Sequence, residues 1–304
     1  MTDGPTLPLE EYLAGERIHV EAALERAVQR ITPLVPEEVA AAVSHGVLAG
    51  GKRLRPVLFA AAYRAAGGTG EPGPVHDMAA GLELIHAYSL MHDDLPCMDD
   101  APLRRGRPTT HRLHGSDVTV RAGAVLIPSA ALQVVKGGRG LGLPEDRARR
   151  AAQMLLEAAG AGGMVGGQAL DLLGEERLLD ARELDELHRH KTGALLTAAL
   201  TMGAFAAGAP APVLAGFRSY GEAVGLAFQV ADDLLDATST AHELGKEPSD
   251  ADRGKSTYVA LFGLEEAERR GRALVEEAKA ALEAVGVTSR PLVALADYIM
   301  DRRS

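Results

Sequence analysis

The sequence predicts an all-α fold, a single large helical bundle of about ten helices that forms one domain over residues 1–304. Three observations predict it. Apolar residues recur at the spacing of one helix face in segments rich in Ala, Leu, Glu and Arg, which are strong helix formers. Alternating runs of β-branched residues are essentially absent. The glycine- and proline-rich stretches between segments are too short to be domain linkers.

The predicted helices are separated by turn-forming sequences such as residues 67–74 and 137–140. They cover residues 8–31, 37–49, 53–66, 75–95, 117–136, 145–160, 181–207, 213–237, 256–284 and 290–302. The uncharged apolar run closest to a membrane span, residues 195–213, is interrupted by glycines and prolines. We therefore expect no uninterrupted span of the required length, which is about 20 residues.

The bulk composition narrows the class of protein. With 46% hydrophobic and 24% charged residues, it is typical of a globular chain. A net charge of −10 argues against a nucleic-acid partner. Cys97 is the only cysteine, which rules out an internal disulfide and fits a reducing compartment. Because the N-terminal residues lack the basic and apolar stretches of a signal peptide, we expect a soluble, cytoplasmic protein.

Two aspartate clusters each follow an apolar segment, one from Asp93 to Asp99 and the other from Asp232 to Asp236. Carboxylates in such surroundings are costly unless a positive group neutralises them. Asp232 and Asp236 are four residues apart, so they lie within roughly 40° of each other on a helix. The competing interpretation is that acidic clusters are solvated helix ends. The presence of two clusters, each after an apolar run, makes that interpretation the weaker one.

The first cluster requires an irregular backbone, because Asp93 and Asp99 would be roughly 120° apart on an ideal helix. Pro96 lies between them and cannot continue a regular hydrogen-bond ladder. We therefore expect the helix to loosen after Asp94 and to return Asp99 towards a metal. Two sets of oxygen ligands that face one cavity could hold several Mg2+ ions on a diphosphate.

Basic residues that could bind such a diphosphate occur at several places. Lys52 and Arg55 are three residues apart at a helix start, beside glycines that let a ligand approach the backbone. Arg104 and Arg105 follow the first acidic cluster, and the planar arginine fork matches diphosphate oxygens in pairs. Further candidates are Lys191 with Thr192, Lys246 and Lys255. Each alone is more often a solvated surface charge, so the argument depends on their occurring together.

The histidines are weaker candidates for a binding site than the acidic and basic residues. His86 lies seven residues before Asp93, on the same helical stripe within roughly 20°, and is either a ligand or a buried structural histidine. His188 and His190 come with no cysteines and no HExxH arrangement. We expect polar surface or loop positions for this pair rather than zinc binding.

Six motifs follow one another along the chain. They are GGKRLRP (50–56), ELIHAYSLMHDDLPCMDDAPLRRGRPTTH (83–111), MVGGQALDL (164–172), HRHKTG (188–193), GLAFQVADDLLD (225–236) and GKSTY (254–258). In this order they resemble the trans-isoprenyl diphosphate synthases, also called the polyprenyl synthetase family, and most closely the bacterial farnesyl and geranylgeranyl diphosphate synthases. The resemblance implies the isoprenoid synthase fold, a helical bundle around a central active-site cavity.

The resemblance also implies roles for individual residues. Ligands of Mg2+, with three ions per active site, would be Asp93, Asp94, Asp99, Asp232 and Asp236, with Asp233 nearby. The diphosphate of isopentenyl diphosphate would be bound by Lys52, Arg55, His86 and Arg105. The allylic diphosphate or the developing cation would be held by Arg104, Lys191, Thr192, Gln229, Lys246 and Lys255. Catalytic roles would belong to Asp93, Asp94, Asp99, Arg104, Lys191, Asp232 and Lys246.

The implied reaction is a head-to-tail condensation of isopentenyl diphosphate with dimethylallyl or geranyl diphosphate. Mg2+ and cationic side chains would stabilise the departing diphosphate while the allylic C–O bond ionises. The double bond of isopentenyl diphosphate would then attack the cation, and a proton would be lost. Water must be excluded, which favours a deep apolar cavity.

Product length is expected to depend on the helix that carries Asp93. Tyr88 and Ser89 lie one turn before it, and Ile85 and Leu82 lie further down. An aromatic residue five positions before the first aspartate, together with an expanded motif, resembles bacterial enzymes that make a fifteen-carbon product. The residues PCMDDA resemble geranylgeranyl enzymes instead. Farnesyl diphosphate is the favoured product, with geranylgeranyl diphosphate as the alternative.

Three departures from the family pattern qualify the resemblance. Ala101-Pro102 replaces a commonly acidic pair, and Ala124 stands where relatives often carry Asp. Pro128 interrupts a segment that is usually a continuous helix, so we expect a kink there.

Other functions fit the sequence less well. A class I terpene cyclase would not need GGKRLRP and tends to line its cavity with aromatic residues, of which this chain has only 4%. A non-catalytic partner subunit would be expected to lack an acidic motif. The resemblance implies a homodimer, for which the apolar helix 117–136 could supply the interface.

Overall fold

The computed structural model describes residues 8–174, 178–238 and 256–301. The elements are α1 (Leu9–Ile31), a 3-10 turn (Thr32–Leu34), α2 (Glu37–Leu48), α3 (Leu54–Ala65), α4 (Pro72–Asp93), β1 (Leu103–Arg104), β2 (Arg107–Pro108), α5 (Thr110–His114), α6 (Ser116–Gly140), α7 (Glu145–Ala159), α8 (Met164–Gly174), α9 (Ala181–His188), a π-helical turn (Arg189–Gly193), α10 (Ala194–Ala206), α11 (Ala211–Thr238), α12 (Tyr258–Phe262), α13 (Leu264–Glu283) and α14 (Arg290–Asp301). Apart from the two short strands, the secondary structure of these residues is helical. The predicted all-α fold is confirmed.

Several predicted boundaries are wrong. The single helix predicted over residues 181–207 consists of α9, the π-helical turn and α10. The helix predicted over residues 256–284 is interrupted at Gly263, whose φ of 78° ends α12 and begins α13. This left-handed conformation costs glycine little because it has no Cβ. The helices α5 and α8 and the two-stranded sheet were not predicted.

The chain divides into two compact units, and each is described by itself. The first comprises Met1–Ala60 and Gly68–Leu155, and the second comprises Ala61–Gly67 and Leu156–Ser304. The expectation of one domain over residues 1–304 stays a prediction.

In the first unit, α4 is buried on all sides over much of its length. Leu82, Leu84 and Ile85 are fully buried although they point in different directions around the helix. The crossing with α6 is close, because a Cβ on Gly81 would lie 2.8 Å from the carbonyl oxygen of Ala130. This packing fixes the C-terminal end of α4, where the first acidic cluster begins.

Of the described helices, only α6 is long and apolar enough to cross a membrane by length and composition. The mean hydropathy of its most apolar window is 1.6, and 39% of that window is buried inside the protein. Long core helices of soluble proteins meet the same criterion, and α6 packs along α4. The feature is therefore weak evidence for a membrane span. Val120 and Leu132 are apolar residues that α6 leaves exposed.

In the second unit, α11 packs against α10, α13 and α14. A Cβ on Gly225 would lie 2.8 Å from the Cα of Gly193, so α11 passes very close to the π-helical turn. Tyr220 is fully buried, and its hydroxyl donates to the carbonyl oxygen of Leu292 at 2.7 Å. These contacts fix α11, whose last turns carry the second acidic cluster.

Candidate active site

The chain after α4 folds back on the helix end. The backbone N–H of Asp99 donates to the carbonyl oxygen of Asp93 at 2.9 Å. Asp94 ends the helix, and residues 94–99 form consecutive turns. The prediction that the helix loosens after Asp94 and that the chain returns at Asp99 is confirmed, and the expected approach of Asp99 to a metal stays a prediction. Asp93 is partly exposed and Asp99 is exposed, so both carboxylates are accessible to a cation.

Asp94 differs from its neighbours because it is buried, with 3% of its surface exposed. Its carboxylate accepts hydrogen bonds from Nε of Arg104 at 2.9 Å and from Nη2 at 2.6 Å. Such forked pairs fix the plane of the guanidinium group. Asp94 therefore positions Arg104, and its predicted role as a magnesium ligand stays a prediction. The carbonyl of Ala101 accepts the hydroxyl of Thr109 at 2.7 Å, which ties down this loop without an acidic side chain.

Arg105 lies in the tight turn between β1 and β2. Both turn residues have positive φ, 53° for Arg105 and 73° for Gly106, as a two-residue turn matching the strand twist requires. The guanidinium group of Arg105 donates to the carbonyl oxygen of Gly50. It lies against Gly51, whose φ of 138° is a conformation that residues with a Cβ rarely adopt, so glycine is needed there. The hairpin thus brings Arg105 to the segment that precedes α3.

The two predicted cations near α3 have different surroundings. Lys52 is exposed, whereas Arg55 in the first turn of α3 is partly buried. The Nε of Arg55 is buried and has no hydrogen-bond partner among the described residues. Burial lowers the pKa of Arg55, Glu83 opposes that change, and Arg105 adds to it. A buried guanidinium N–H without an acceptor is costly, so this position favours a bound anion.

Arg53 has a structural role and was not predicted to bind substrate. It is 3% exposed and donates to Glu21 at 2.8 Å, to Glu83 at 2.9 Å and to the carbonyl oxygen of Val47 at 2.9 Å. These bonds join α1, α2 and α4 to the chain just before α3. They therefore fix the backbone that carries Arg55.

His86 lies on α4 and is partly exposed. Burial lowers its pKa well below the ordinary value of 6.5, and neighbouring guanidinium groups lower it further. Those groups belong, in order of falling effect, to Arg55, Arg105, Arg104 and Arg53. His86 is therefore neutral at pH 7 and can offer an N–H to an anion within a group of fixed positive charges.

Tyr88 and Ser89 lie on α4 before the first aspartate, as predicted. Tyr88 is buried, and its ring meets that of His92 edge-on with 5.5 Å between centroids. Burial raises the pKa of Tyr88, and the negative charge of Asp93 raises it further. The Ser89 hydroxyl donates to the carbonyl oxygen of His86 and is thus directed along the helix.

In the second unit, the π-helical turn carries Lys191 and Thr192. The Lys191 ammonium pairs with Asp171 of α8, and the Thr192 hydroxyl donates to the side-chain oxygen of Gln229 at 2.9 Å. Single π-helical turns inside α-helices are frequently found at functional sites. Three of the predicted residues therefore come together, and Asp171 joins them. Asp171 was not among the predicted residues, although it lies in the motif MVGGQALDL (164–172).

The second acidic cluster occupies the last turns of α11. Asp232 and Asp236 are partly exposed, whereas Asp233 is buried. The backbone N–H of Tyr258 donates to Asp233 at 2.7 Å. In each cluster, then, the second aspartate is buried against a protein partner and the outer ones are more accessible.

The donor set suits Mg2+. Among the residues that the structure describes, no group of three or more His, Cys, Asp or Glu side chains could hold a metal by itself. Mg2+ usually takes one or two carboxylates, with phosphate oxygens and waters completing its octahedral shell. Pairs of accessible aspartates match that preference. Lys246 and Lys255, predicted to bind the allylic diphosphate, lie outside the described residues.

His188 was expected at the polar surface, and that expectation is wrong. It is 8% exposed, and both ring nitrogens are buried without a hydrogen-bond partner among the described residues. It lines a cavity of about 120 Å³ together with Asp171, Lys191, Gln229 and Asp233. Burial lowers the pKa of His188 to about 4. His188 lies three residues, or about one helical turn, before Lys191. This spacing could have predicted that the two side chains lie on the same face.

The buried His188 predicts that the protein becomes less stable in mild acid. Its pKa is about 4 in the folded chain and 6.5 ordinarily. Between these values the unfolded chain binds a proton that the folded chain does not, so stability is complete above pH 6.5 and falls as the pH drops to 4. The loss is at most about 3 kcal/mol from this group.

Urea unfolding of the wild type and of His188→Leu between pH 7.5 and pH 4, in steps of about half a pH unit, measures this contribution. The free energy of unfolding should fall more steeply with acid in the wild type than in the variant. His190→Leu controls for the loss of a histidine at the same turn, where the side chain is partly exposed. Parallel curves for the wild type and His188→Leu would contradict the prediction.

Comparison with known proteins identifies the family. The family model described as polyprenyl synthetase matches residues 36–288. The chain belongs to the polyprenyl synthetase family. The helical fold, the two acidic clusters and the arginine-rich hairpin are therefore those of an enzyme of the prenyltransferase family, which acts on isoprenoid diphosphates.

Similar proteins within the polyprenyl synthetase family carry several names. A dimethylallyltranstransferase from Fischerella ambigua (strain UTEX 1903) is 41% identical over 98% of this chain and 84% of its own length. The farnesyl diphosphate synthase of Escherichia coli (strain K12) is 41% identical over 93% of this chain and 97% of its own. The chloroplastic geranylgeranyl pyrophosphate synthase 11 of Arabidopsis thaliana is 41% identical over 97% and 82%. A solved FPP/GFPP synthase from Zymomonas mobilis, in its apo form, is 32% identical, with a TM-score of 0.77 over 93% of this chain and 99% of its own.

Proposed function

We propose that this protein is a Mg2+-dependent farnesyl diphosphate synthase that condenses isopentenyl diphosphate head-to-tail with dimethylallyl or geranyl diphosphate. The observation that carries the proposal is the group of cations around His86. Arg55 offers a buried N–H without an acceptor among the described residues, and Arg104 and Arg105 are held in place nearby. Positive groups so placed, with one neutral histidine among them, are suited to a polyanion such as a diphosphate.

The residues of this chain would act mainly by binding and positioning. In the first unit, Arg104, fixed by Asp94, would bind a diphosphate. In the second unit, Lys191, paired with Asp171, has the charge and the fixed position to bind the allylic diphosphate. Bound Mg2+ would neutralise the rest of the negative charge on the allylic diphosphate as it departs. Loss of the diphosphate breaks the allylic C–O bond with both electrons leaving on oxygen. The double bond of isopentenyl diphosphate then forms the new C–C bond, and the proton lost in restoring a double bond goes to the released diphosphate.

The direct test is an assay of the wild type with labelled isopentenyl diphosphate and each allylic primer. We expect chain elongation with dimethylallyl and geranyl diphosphate, and loss of the activity when EDTA removes Mg2+. Chromatography of the dephosphorylated products gives their length. Absence of any elongated product with every primer would contradict the proposed function, and a C20 product would favour geranylgeranyl diphosphate synthase.

The names of the relatives support both products, since they include farnesyl and geranylgeranyl synthases. The buried Tyr88 favours the shorter one, because its ring lies one turn below Asp93 and limits the length of the growing tail. A side chain of this size occupies space that a further isoprene unit would need.

We expect Tyr88→Ala to change the main product from farnesyl to geranylgeranyl diphosphate, because removal of a buried ring opens space along α4. The product distribution at low conversion measures this change. Tyr63→Ala is the matched control, since Tyr63 is buried to the same extent, 7% exposed, outside α4. It should lower stability without lengthening the product. An unchanged product from Tyr88→Ala would remove Tyr88 from this role.

We propose further that the protein is a homodimer. The exposed residues Val120, Ala124, Pro128 and Leu132 recur every four residues on α6 and form an apolar stripe. A second copy of the chain would bury this stripe, which gains free energy in proportion to the apolar area removed from water. A mass of 31.8 kDa in light scattering, that of one chain, would contradict the proposal.

A further inference from the structure

The buried aspartate of the second acidic cluster has a partner that suggests a role other than metal binding. Asp233 is one residue after Asp232 on α11, so its side chain points about 100° away around the helix. It is 8% exposed, and it accepts the backbone N–H of Tyr258 at 2.7 Å. A charged acceptor makes this bond shorter and stronger than one between neutral groups.

Tyr258 is held at its other end as well. Its side chain is fully buried, and its hydroxyl donates to Asp185 of α9 at 2.7 Å. Arg270 of α13 donates to both oxygens of Asp185, at 2.8 and 2.7 Å. The same guanidinium group lies 5.4 Å from the centroid of the Tyr258 ring. Asp233 and Asp185 thus fix the backbone and the side chain of one residue.

The two residues before Tyr258 are also bonded. The hydroxyl of Ser256 accepts the backbone N–H of Leu179 at 2.9 Å. The hydroxyl of Thr257 accepts the backbone N–H of Ala260 at 3.1 Å. Ser256 and Tyr258 are therefore bonded to other parts of the second unit, and Thr257 caps α12 between them.

We infer that Asp233 is a positioning residue and not a magnesium ligand: it anchors the start of α12 and, with it, residues 256–258. Ser256 and Thr257 line the same cavity as Lys191 and Gln229, so fixing them fixes one wall of that cavity. The effect on a ligand in the cavity rests on the proposed function, in which Lys191 binds the allylic diphosphate. The anchoring of Tyr258 by Asp233 is independent of that function.

The test compares Asp233→Asn and Asp233→Ala with Asp232→Asn in the full-length protein. In Asp233→Asn the side-chain amide oxygen can still accept the Tyr258 N–H, whereas alanine removes the acceptor and leaves that N–H buried and unsatisfied. For Asp233→Asn we expect kcat/KM within about threefold of the wild type and an unaltered Mg2+ concentration for half-maximal rate. Asp232→Asn should raise that Mg2+ concentration. A similar rise in Asp233→Asn would overturn the inference, because it would make Asp233 a ligand.

For Asp233→Ala we expect the KM of geranyl diphosphate to rise about tenfold, while the Mg2+ requirement stays that of the wild type. Hydrogen exchange followed by mass spectrometry gives a readout independent of activity. The amides of residues 257–260 should exchange about ten- to a hundredfold faster without ligand, while peptides from α10 stay protected. Unchanged exchange at these amides would overturn the inference, as would a uniform increase across the whole second unit with no change in KM.

Tyr258→Phe provides a second variant if Asp233→Ala does not fold. It removes only the hydroxyl that donates to Asp185, and we expect the KM of geranyl diphosphate to rise about threefold. Since this variant keeps the bond to Asp233, an unchanged KM would show only that the Asp185 bond is dispensable, and the Mg2+ requirement of Asp233→Asn would then decide whether Asp233 is a ligand. A wild type without prenyl-transfer activity would contradict the proposed function instead, and the exchange rates at Tyr258 would still decide whether Asp233 is the anchor.

Discussion

Asp93→Asn is expected to lower kcat for prenyl transfer by about 10²- to 10³-fold and to raise the Mg2+ concentration needed for half-maximal rate. The substitution keeps the volume of the side chain and removes its charge. The turn that returns Asp99 is held by the backbone carbonyl of Asp93, so it should persist without the carboxylate. The loss would therefore report the missing charge rather than a rearranged loop. Steady-state kinetics at a series of Mg2+ concentrations measures both quantities.

Asp100→Asn is the matched control for this prediction. Asp100 lies in the same loop but is exposed, and it pairs at 3.0 Å with Arg112 at the surface. Exposed pairs of this kind contribute about 0–1 kcal/mol. Its φ of 44° suits asparagine, which adopts the left-handed region more readily than most residues. We expect activity within about twofold of the wild type. Equal losses in the two variants would contradict the assignment of Asp93 to the metal.

The first acidic cluster shows which parts of the candidate site can be predicted from the local sequence alone. Its return to the helix end follows from a six-residue spacing and one proline, which constrain the chain without reference to the rest of the fold. Helix geometry also implies that Asp93 and Asp94 face different directions. The partner of Asp94 could not be predicted, because Arg104 is brought to it by a hairpin that sequence periodicity did not reveal. Strands of two residues are too short for an alternating pattern. The available signal was the Arg105-Gly106 pair, which suits a tight hairpin turn.

The region from residue 181 to residue 207 shows where periodicity fails. An α-helix and a π-turn differ by one residue in the span of the backbone hydrogen bond, so over five residues the apolar pattern does not separate them. What distinguishes the π-turn is its packing against Gly167 and Gly225, which lie far away in the sequence. His188 was placed at the surface for the same reason, because its burial depends on Tyr258, whose ring lies 5.5 Å away. Long-range contacts of this kind decide burial and cannot be read from local spacing.

Gly167→Ala is expected to lower prenyl-transfer activity at least about 100-fold, because it displaces the backbone of the π-helical turn. A Cβ on Gly167 would lie 2.1 Å from the backbone nitrogen of Lys191 and 2.7 Å from the carbonyl carbon of His190. The atoms it meets are backbone atoms, which cannot turn aside as the end of a flexible side chain can. Either α8 or the π-turn must move, and Lys191 and Thr192 move with the turn.

The position of these two side chains is where the loss should arise. Lys191 is paired with Asp171 of α8, and Thr192 donates to Gln229 of α11, so a shift of α8 against α11 disturbs both contacts. Overpacking of this kind also costs about 1–3 kcal/mol of stability. Circular dichroism melting separates the two effects, since a folded variant with a much lower kcat shows displaced catalytic groups. Gly162→Ala is the matched control, because nothing lies within 4 Å of its Cβ. If Gly167→Ala were as active and stable as Gly162→Ala, the close packing of α8 on the π-turn would not position Lys191.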